Sequence, residues 1–520
     1  MKDNINQSSE QATLQKSPTE AHGIEAAHTQ TWSNLSANLW SSQEILSLPR
    51  DTSGSGAAAK DTAGRPEAAE VKVGTSSSTL PHLEIGDFNR EALKVFDQLD
   101  TNHQGFVSKE QMAVAIENDP SITGNDAKAL AALYGVIKGE QSGHVPADIN
   151  PTVITRAQIE EMPGSLAQEK FNFDNLKTIS DPDLAGTFDP NNTGRISEAA
   201  VTNALGAKVG AEYGQMEQAY AAKYLSPEEQ AQVSQNGLTS NELQGLLKEQ
   251  GFRTYEANEI TMTLKHANGS LANAQNHEAF ANSQNPAESV KPSDVQQGRT
   301  GDCYFDSALA AVAATQPETI ANSIKENSNG SYTVTFKGDP QHPMTVPAPT
   351  DTELALYNSA SPDGIWPNIM EKAFADHQIL FGQRIIDNDT PQDAIAGGRA
   401  GVALALLTGE QTRDHNFVTG SGSTPEVGAH GQINSPVVQA AIAARDGYDD
   451  VVGIGKPAQG SGLAPDHDYT VVGYQPGANG GTFELRNPWD DPSKSTGDYF
   501  TISGNLLAES MDEVAYAPGT

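Results

Sequence analysis

The spacing of apolar residues changes character partway along the chain, and that change decides how it can fold. From residue 86 to about 255 the apolar positions recur at helical intervals. "FNREALKVFDQLD" puts Leu93, Phe96 and Leu99 on nearly one face with Val95 beside them, and "KEQMAVAIEN" resumes with Met112, Val114 and Ile116. A similar helix, loop, helix rhythm recurs near 170 to 204, with weaker versions near 130 to 162 and 225 to 250, which reads as an internal repeat. From 291 to 520 helices and period-two runs mix: a helix after Cys303, a strand at "SYTVTF", a helix at "WPNIMEKAFADH", and paired strands between 468 and 487. That half predicts an α+β domain. Residues 256–290, polar and rich in Asn and Ala, read as a linker between the two. Residues 1–85 are rich in Ser, Thr and Gln and read as a disordered tail, in which Trp32, Leu35 and Leu39 form at most one amphipathic turn.

Charge narrows the choice of partner. The 67 acidic and 32 basic residues among 520 leave a net charge of −35. Such a surface repels phosphate, which argues against nucleic acid and anionic membrane, and it attracts basic segments of other proteins. No apolar run is long enough to span a bilayer, and "MKDNINQSSEQATLQKSPTE" lacks the apolar centre of a secretory signal. The expectation is a soluble, cytoplasmic protein whose export, if any, is leaderless. One cysteine excludes an internal disulfide and a thiolate metal site.

That cysteine stands in "QQGRTGDCYFDSALAAVAATQP". Gly301 and Asp302 precede an Ala-rich run ended by Pro317, in which Phe305, Leu309 and Val312 form one stripe. Asp302 is a natural N-cap, which makes Cys303 the first helical residue. Unpaired N–H groups and the helix dipole lower a thiol pKa there, as a nucleophile requires. Attack on a carbonyl also needs a general acid for the leaving group. Of the downstream histidines His342, His377, His415, His430 and His467, only the last opens a strand-like run, "HDYTVVGY". A glycine-rich turn, "QPGANGG", and a second run, "TFELRN", complete a hairpin ending at Asn487. Pairing His467 with Asn487 sets Tyr469 against Leu485 and Val471 against Phe483, centres the turn on Gly477, and brings imidazole and carboxamide side by side. An Asn carbonyl there orients the imidazole through its N–H. Gln297, six residues before Cys303, supplies with the Cys303 amide the two donors that a tetrahedral oxyanion needs.

Two earlier loops resemble the twelve-residue EF-hand loop. In "DTNHQGFVSKEQ" Asp100, Asn102 and Gln104 stand at positions one, three and five, Gly105 at the turn, Phe106 at the carbonyl position seven and Gln111 at twelve. In "DPNNTGRISEAA" Asp189, Asn191 and Thr193 precede Gly194 and Ile196, and position twelve is Ala200. Both keep the residues that shape the loop and lack the bidentate Glu at twelve. The expectation is an all-α EF-hand-like domain over 86–255 that binds calcium weakly if at all.

The C-terminal blocks resemble the protease core of the calpain family. "QQGRTGDCYFDSALAAVA" is similar to that family's Gln-Gly-x-x-Gly-Asp-Cys-aromatic segment, "DHDYTVVGY" to its His strand, "LRNPWD" to its Asn-Pro-Trp segment and "GIWPNIMEKAFADH" to its helix after a Trp. The resemblance covers about residues 291 to 520 and implies a papain-like, two-lobed cysteine endopeptidase acting on protein substrates. Carried over, it implies Cys303 as nucleophile, His467 as general acid and base, Asn487 as orienting group, Gln297 in the oxyanion hole and Trp489 as a shield over the His–Asn bond. It implies Asp294 as a calcium ligand of the core, with Glu371 as a candidate partner, and no organic cofactor. Tyr304 departs from the family's Trp, and the EF-hand-like repeats precede the protease instead of following it. Two other readings stay open: a catalytically silent scaffold that binds partners through its helical repeats, and a transglutaminase-like acyltransferase that uses the same thiol with an amine in place of water.

Overall fold

The computed structural model describes residues 82–139, 152–274, 277–386, 389–416, 440, 443–444, 447, 449–489 and 498–517. The proposed tail with Trp32, Leu35 and Leu39, and His430 further on, lie outside them.

The helical half is built from helix–loop–strand–helix units joined two by two. Helix Ile85–Leu99 leads through the first loop into strand β1 (Phe106–Ser108) and helix Lys109–Asn118. Helix Gly124–Gly139 is followed by β2 (Val153–Thr155) and helix Arg156–Glu161. β1 and β2 pair antiparallel, Val107 against Ile154, which ties the two units together. The arrangement repeats with β3 (Arg195–Ile196) against β4 (Leu238–Thr239), followed by a 34-residue helix, Ser240–Asn273. Capping boxes start the second helices of the first pair, Ser108 with Gln111 and Thr155 with Gln158, and Thr239 with Glu242 starts the long helix.

The long helix crosses the boundary expected at 255 and occupies more than half of the span read as a linker. Its polar composition hides a stripe: Ile260, Leu264, Ala267 and Leu271 fall at helical spacing and are buried. They join a core that also takes Phe88, Val95, Ile116, Leu130 and Tyr134 from the leading helices and Phe305, Leu309, Trp366 and Phe374 from the C-terminal half. The first helix pair is therefore packed onto the cysteine-bearing half. The second pair has its own core, around Leu176, Phe188, Val201, Tyr213 and Leu243.

Helix Cys303–Thr315 runs through the middle of the shared core, buried on every side from Cys303 to Ala313. The stripe of Phe305, Leu309 and Val312 is only part of its contact surface, because the alanines between them let neighbours approach closely on the other faces. Phe305 stacks on Phe374 of helix Trp366–Leu380, with ring centroids 4.1 Å apart, and Tyr304 and Phe336 meet the same ring edge-on. A small antiparallel sheet, β5 (Ile324–Glu326), β6 (Tyr332–Val334) and β7 (Met344–Val346), flanks this region.

The remaining strands are β8 (Arg413–Asn416), β9 (Asp449–Ile454), β10 (His467–Gln475), β11 (Thr482–Arg486), β12 (Tyr499–Ser503) and β13 (Met511–Ala517). They form one antiparallel sheet in the order β12-β11-β10-β9-β13-β8, whose apolar side chains Val452, Tyr469, Val471, Phe483, Leu485 and Val514 make a separate core. Sheet and helices together are α+β.

The register of the β10–β11 hairpin differs from the expectation. Thr470 faces Arg486 and Val471 faces Leu485, then a bulge at Val472 moves Gly473 opposite Glu484 and Tyr474 opposite Phe483. The expected pairing of Tyr469 with Leu485 is thus slipped by two residues at the His467 end. The turn, between Gln475 and Thr482, takes up the difference with a short 3-10 segment at Ala478–Gly480. A slip of two keeps every side chain on its face. His467 and Asn487 consequently stay on one face, as diagonal neighbours.

The ring cluster about Phe374 gives a direct test of this packing. Phe374→Ala removes a fully buried ring and should lower the unfolding free energy by about 3–5 kcal/mol, measured by urea denaturation followed by far-UV circular dichroism.

Candidate active site

Two hydrogen bonds lay β10 along the cysteine helix. Ser307 Oγ donates to the Asp468 carbonyl at 2.9 Å, and Thr470 Oγ1 donates to the Ser307 carbonyl at 2.8 Å. One turn before Ser307 is Cys303, and the backbone of Asp468 reaches its sulfur. His467, one residue earlier on the strand, is 2% exposed. Its Nε2 is 2.8 Å from Asn487 Oδ1, which also accepts the Trp489 backbone N–H at 3.0 Å. The Trp489 ring stacks on the imidazole at 3.9 Å between centroids, and Tyr469 closes its edge. Among the sequence candidates, His467 and Asn487 are thus joined directly, with Cys303 held against the same strand. His342 and His377 are elsewhere, both bonded to Asp339.

The loop before the cysteine is stitched to the asparagine segment. Gln297 N donates to the Pro488 carbonyl at 2.9 Å, and the buried Arg486 guanidinium bonds the Val295 carbonyl. Gly298 has to be glycine here, since a Cβ would stand 2.1 Å from the Tyr357 carbonyl oxygen. The Gln297 amide does not point into an open hole. Its Nε2 donates to the Thr300 carbonyl at 2.8 Å and approaches Asp302 Oδ1 at 3.4 Å.

Two electrostatic expectations are corrected by burial. Asp302 occupies the N-cap position but makes no capping bond with its side chain. The Cys303 thiol is pushed well above its usual pKa, first by burial and then by the Asp468 carboxylate, with the Asp468 backbone bond opposing. The helix N-terminus does not offset this burial, which favours the thiol over the thiolate.

Beneath the cysteine lies a group that sequence reasoning missed. Asp302, Asp306 and Glu371 are all buried, and burial followed by their mutual repulsion holds Asp306 and Glu371 well above the usual carboxylate range. Burial likewise raises Asp302 to about 7. Asp302 and Glu371 lie within hydrogen-bonding range of each other, and each has one oxygen without a protein donor; a shared proton satisfies both. Asn358 supports the group, donating Nδ2 to Asp306 at 2.6 Å and its N–H to Glu371 at 2.8 Å. Glu371 is therefore not the partner of Asp294. The carboxylate beside Asp294 is Asp363, and burial together with Asp363 raises Asp294 to about 6.

The oxygens of the two EF-hand-like loops are engaged within the chain. In the first loop Asp100 accepts the N–H groups of Gln104 at 2.9 Å and Gly105 at 3.0 Å. The Gln104 side-chain amide donates to the Phe106 carbonyl at 3.2 Å and to Gln111 Oε1 at 3.4 Å, so its protons take the place that a cation's charge would fill. Asn102 donates to Gln104 Oε1. In the second loop Asp189 accepts from Thr193 N at 2.8 Å and Gly194 N at 2.7 Å, Asn191 is exposed, and Ala200 offers no oxygen at twelve. At Asp294 the neighbouring Asp363 is already paired with the Lys291 ammonium. None of these sets fits a tightly held calcium ion. Among the described residues, no group of three or more His, Cys, Asp or Glu side chains is arranged to hold a metal.

Residues 254–503 match the profile of calpain family cysteine proteases, a segment that contains Cys303, His467 and Asn487. Over that segment the chain is similar to calpain-type protease domains. It is similar to the calpain-type cysteine protease DEK1 of Zea mays, 27% identical over 255 residues, covering 44% of this chain and 10% of that protein. The calpain-type cysteine protease ADL1 of Oryza sativa subsp. japonica and DEK1 of Arabidopsis thaliana are similar to the same degree, 27% identical over 255 and 244 residues. The chain spans about a tenth of the length of these relatives. No described helix is long and apolar enough to cross a membrane.

The buried acids make stability depend on pH. An acid whose pKa is higher folded than unfolded holds its proton more tightly in the native state, so stability falls as pH rises from the ordinary carboxylate value near 4 through about 7, the folded value of Asp302. Glu371→Gln removes one repelling carboxylate and keeps a donor for Asp302. It should shrink that decline by on the order of 2 kcal/mol relative to wild type, read from urea denaturation across this pH range.

Proposed function

We propose that the chain is a calpain-type cysteine endopeptidase with a papain-like, two-lobed catalytic core. Cys303 is the nucleophile, and His467, oriented by Asn487, is the general acid and base. The observation that carries this reading is the 2.8 Å bond between His467 and Asn487 under the Trp489 ring, on a strand whose next residue reaches the Cys303 sulfur. With Nε2–H engaged by Asn487, the imidazole's Nδ1 takes the thiol proton. The thiolate attacks the peptide carbonyl, and the Cys303 N–H with the Gln297 amide holds the oxyanion. His467 then protonates the leaving amine, and a water activated by the same imidazole hydrolyses the thioester.

In the resting arrangement the thiol is protonated and the Gln297 amide is turned onto Thr300. Substrate entry has to rotate that amide and bring water or substrate dipoles to the sulfur. The helix–loop units are EF-hand-like in their paired strands, and the described loops at Asp100 and Asp189 are closed by their own side chains, so in this reading calcium does not gate cleavage through those two. An Asn in the third position, followed by Pro488 and Trp489, favours hydrolysis over acyl transfer to an amine.

The test is cleavage of a casein-type substrate by the full chain, with fragments weighed by mass spectrometry. Cys303→Ala should abolish cleavage, a loss of at least about a thousandfold, and Asn487→Ala should lower kcat by roughly ten- to a hundredfold. Adding a calcium chelator should change the rate by no more than about twofold. Unchanged cleavage in Cys303→Ala would sink the reading in favour of a silent scaffold, and isopeptide-linked products would replace hydrolysis by acyl transfer.

A further inference from the structure

Lys138 lies in the last turn of helix Gly124–Gly139, more than a hundred residues before the matched protease segment begins at 254. It belongs to the leading helix pair, yet its ammonium reaches the loop that carries the cysteine. Nζ donates to the Arg299 carbonyl at 3.2 Å and to Thr300 Oγ1 at 3.5 Å, and it is paired with Asp393. Asp393 is itself fixed: Tyr134, one turn before Lys138 on the same helix, donates its hydroxyl at 2.7 Å, and Thr390 donates at 3.1 Å. With its side chain 2% exposed, this carboxylate has little freedom to move.

The same two loop residues are gripped from elsewhere. The Arg299 N–H donates to the Leu356 carbonyl at 2.7 Å, and its guanidinium is paired with Glu259 of the long helix. Thr300 Oγ1 also meets the Gln392 carbonyl at 3.4 Å. What the grip controls is the Thr300 carbonyl, because that oxygen receives the Gln297 side-chain amide at 2.8 Å. Three residues after Thr300 the backbone N–H of Cys303 begins the helix. A charge outside the protease segment is thus two bonded contacts away from the Gln297 amide.

We propose that Lys138 is a positioning residue for the cysteine site, through which the leading helix pair sets the loop that bears Gln297 and Cys303. The proposal rests on the protease reading for its kinetic consequence, and on the loop geometry alone for its structural one. A charge-assisted bond from a lysine paired with a buried carboxylate restrains the Arg299 carbonyl, and an error of about 1 Å in a catalytic group costs about a hundredfold in rate. The leading helices in this arrangement are a permanent part of the active site's frame.

The experiment compares wild type, K138M and K138R as full chains, by steady-state cleavage and by amide hydrogen exchange over residues 297–303. K138M should lower kcat by roughly ten- to a hundredfold with KM within about twofold, and it should speed exchange in the loop about tenfold. K138R, which can still donate to both the carbonyl and Asp393, should recover most of kcat and of the protection. Unaltered kcat and unaltered exchange in K138M would overturn the proposal. So would equal loss in K138M and K138R accompanied by a matching fall in thermal midpoint, the mark of a merely structural lysine. If wild type cleaves nothing, the protease reading fails separately, and the exchange comparison still decides whether Lys138 holds the loop. Should K138M not fold, K138Q, which keeps a donor without the charge, carries the same comparison.

Discussion

The two hydrogen bonds between Ser307 and strand β10 are the constraint from which the site follows. One is made by a serine on the helix and the other by a threonine on the strand, and the alanines that follow Ser307 let a strand backbone lie against the helix at contact distance. The Thr470 bond is buried and the Ser307 bond partly so, and losing one partner there would leave the other's polar atom unpaired. They fix where β10 starts relative to the first turn of the helix, and therefore where the imidazole stands relative to the sulfur. Arg486 and the Pro488 carbonyl repeat the device on the other side, tying the asparagine segment to the loop ahead of the cysteine. The candidate site is thus defined by stitches between sheet and helix, and the side chains that do chemistry are held by groups that do none.

Much of this was legible in the chain itself. Cys303 at the start of a helix, His467 at the start of a strand and Asn487 at the end of its partner are marked by local patterns, because caps, alternation and turns act over a few residues. The slip in the hairpin register was not legible, since one bulge at Val472 and a long turn absorb two residues without altering the alternation seen at either end. The linker was misread for a related reason. Ile260, Leu264 and Leu271 keep helical spacing, but the Thr, Asn and Ser residues among them give the segment a polar composition, and only the neighbours that cover the stripe make it a core face.

What the sequence concealed most fully is electrostatic. A cysteine at a helix N-terminus carries an argument for a low pKa, and a carboxylate before it carries an argument for a cap. Both assume that water reaches the helix end. Burial reverses them: Asp302 turns away to share a proton with Glu371, and the Cys303 sulfur stays protonated. Sixty-nine positions separate Asp302 from Glu371 (371 − 302 = 69), so no local pattern could have joined them. The pair places two carboxyls held above their usual range beside the nucleophile, an environment that disfavours an anion at the start of the helix.

The first loop of the leading helices has one more consequence. Gln104 presents amide protons to the very oxygens that converge in its centre, and the neighbouring capping box locks the helix that follows. A loop centre crossed by its own side chain is braced from within, and that brace passes straight into the helix that begins at Lys109.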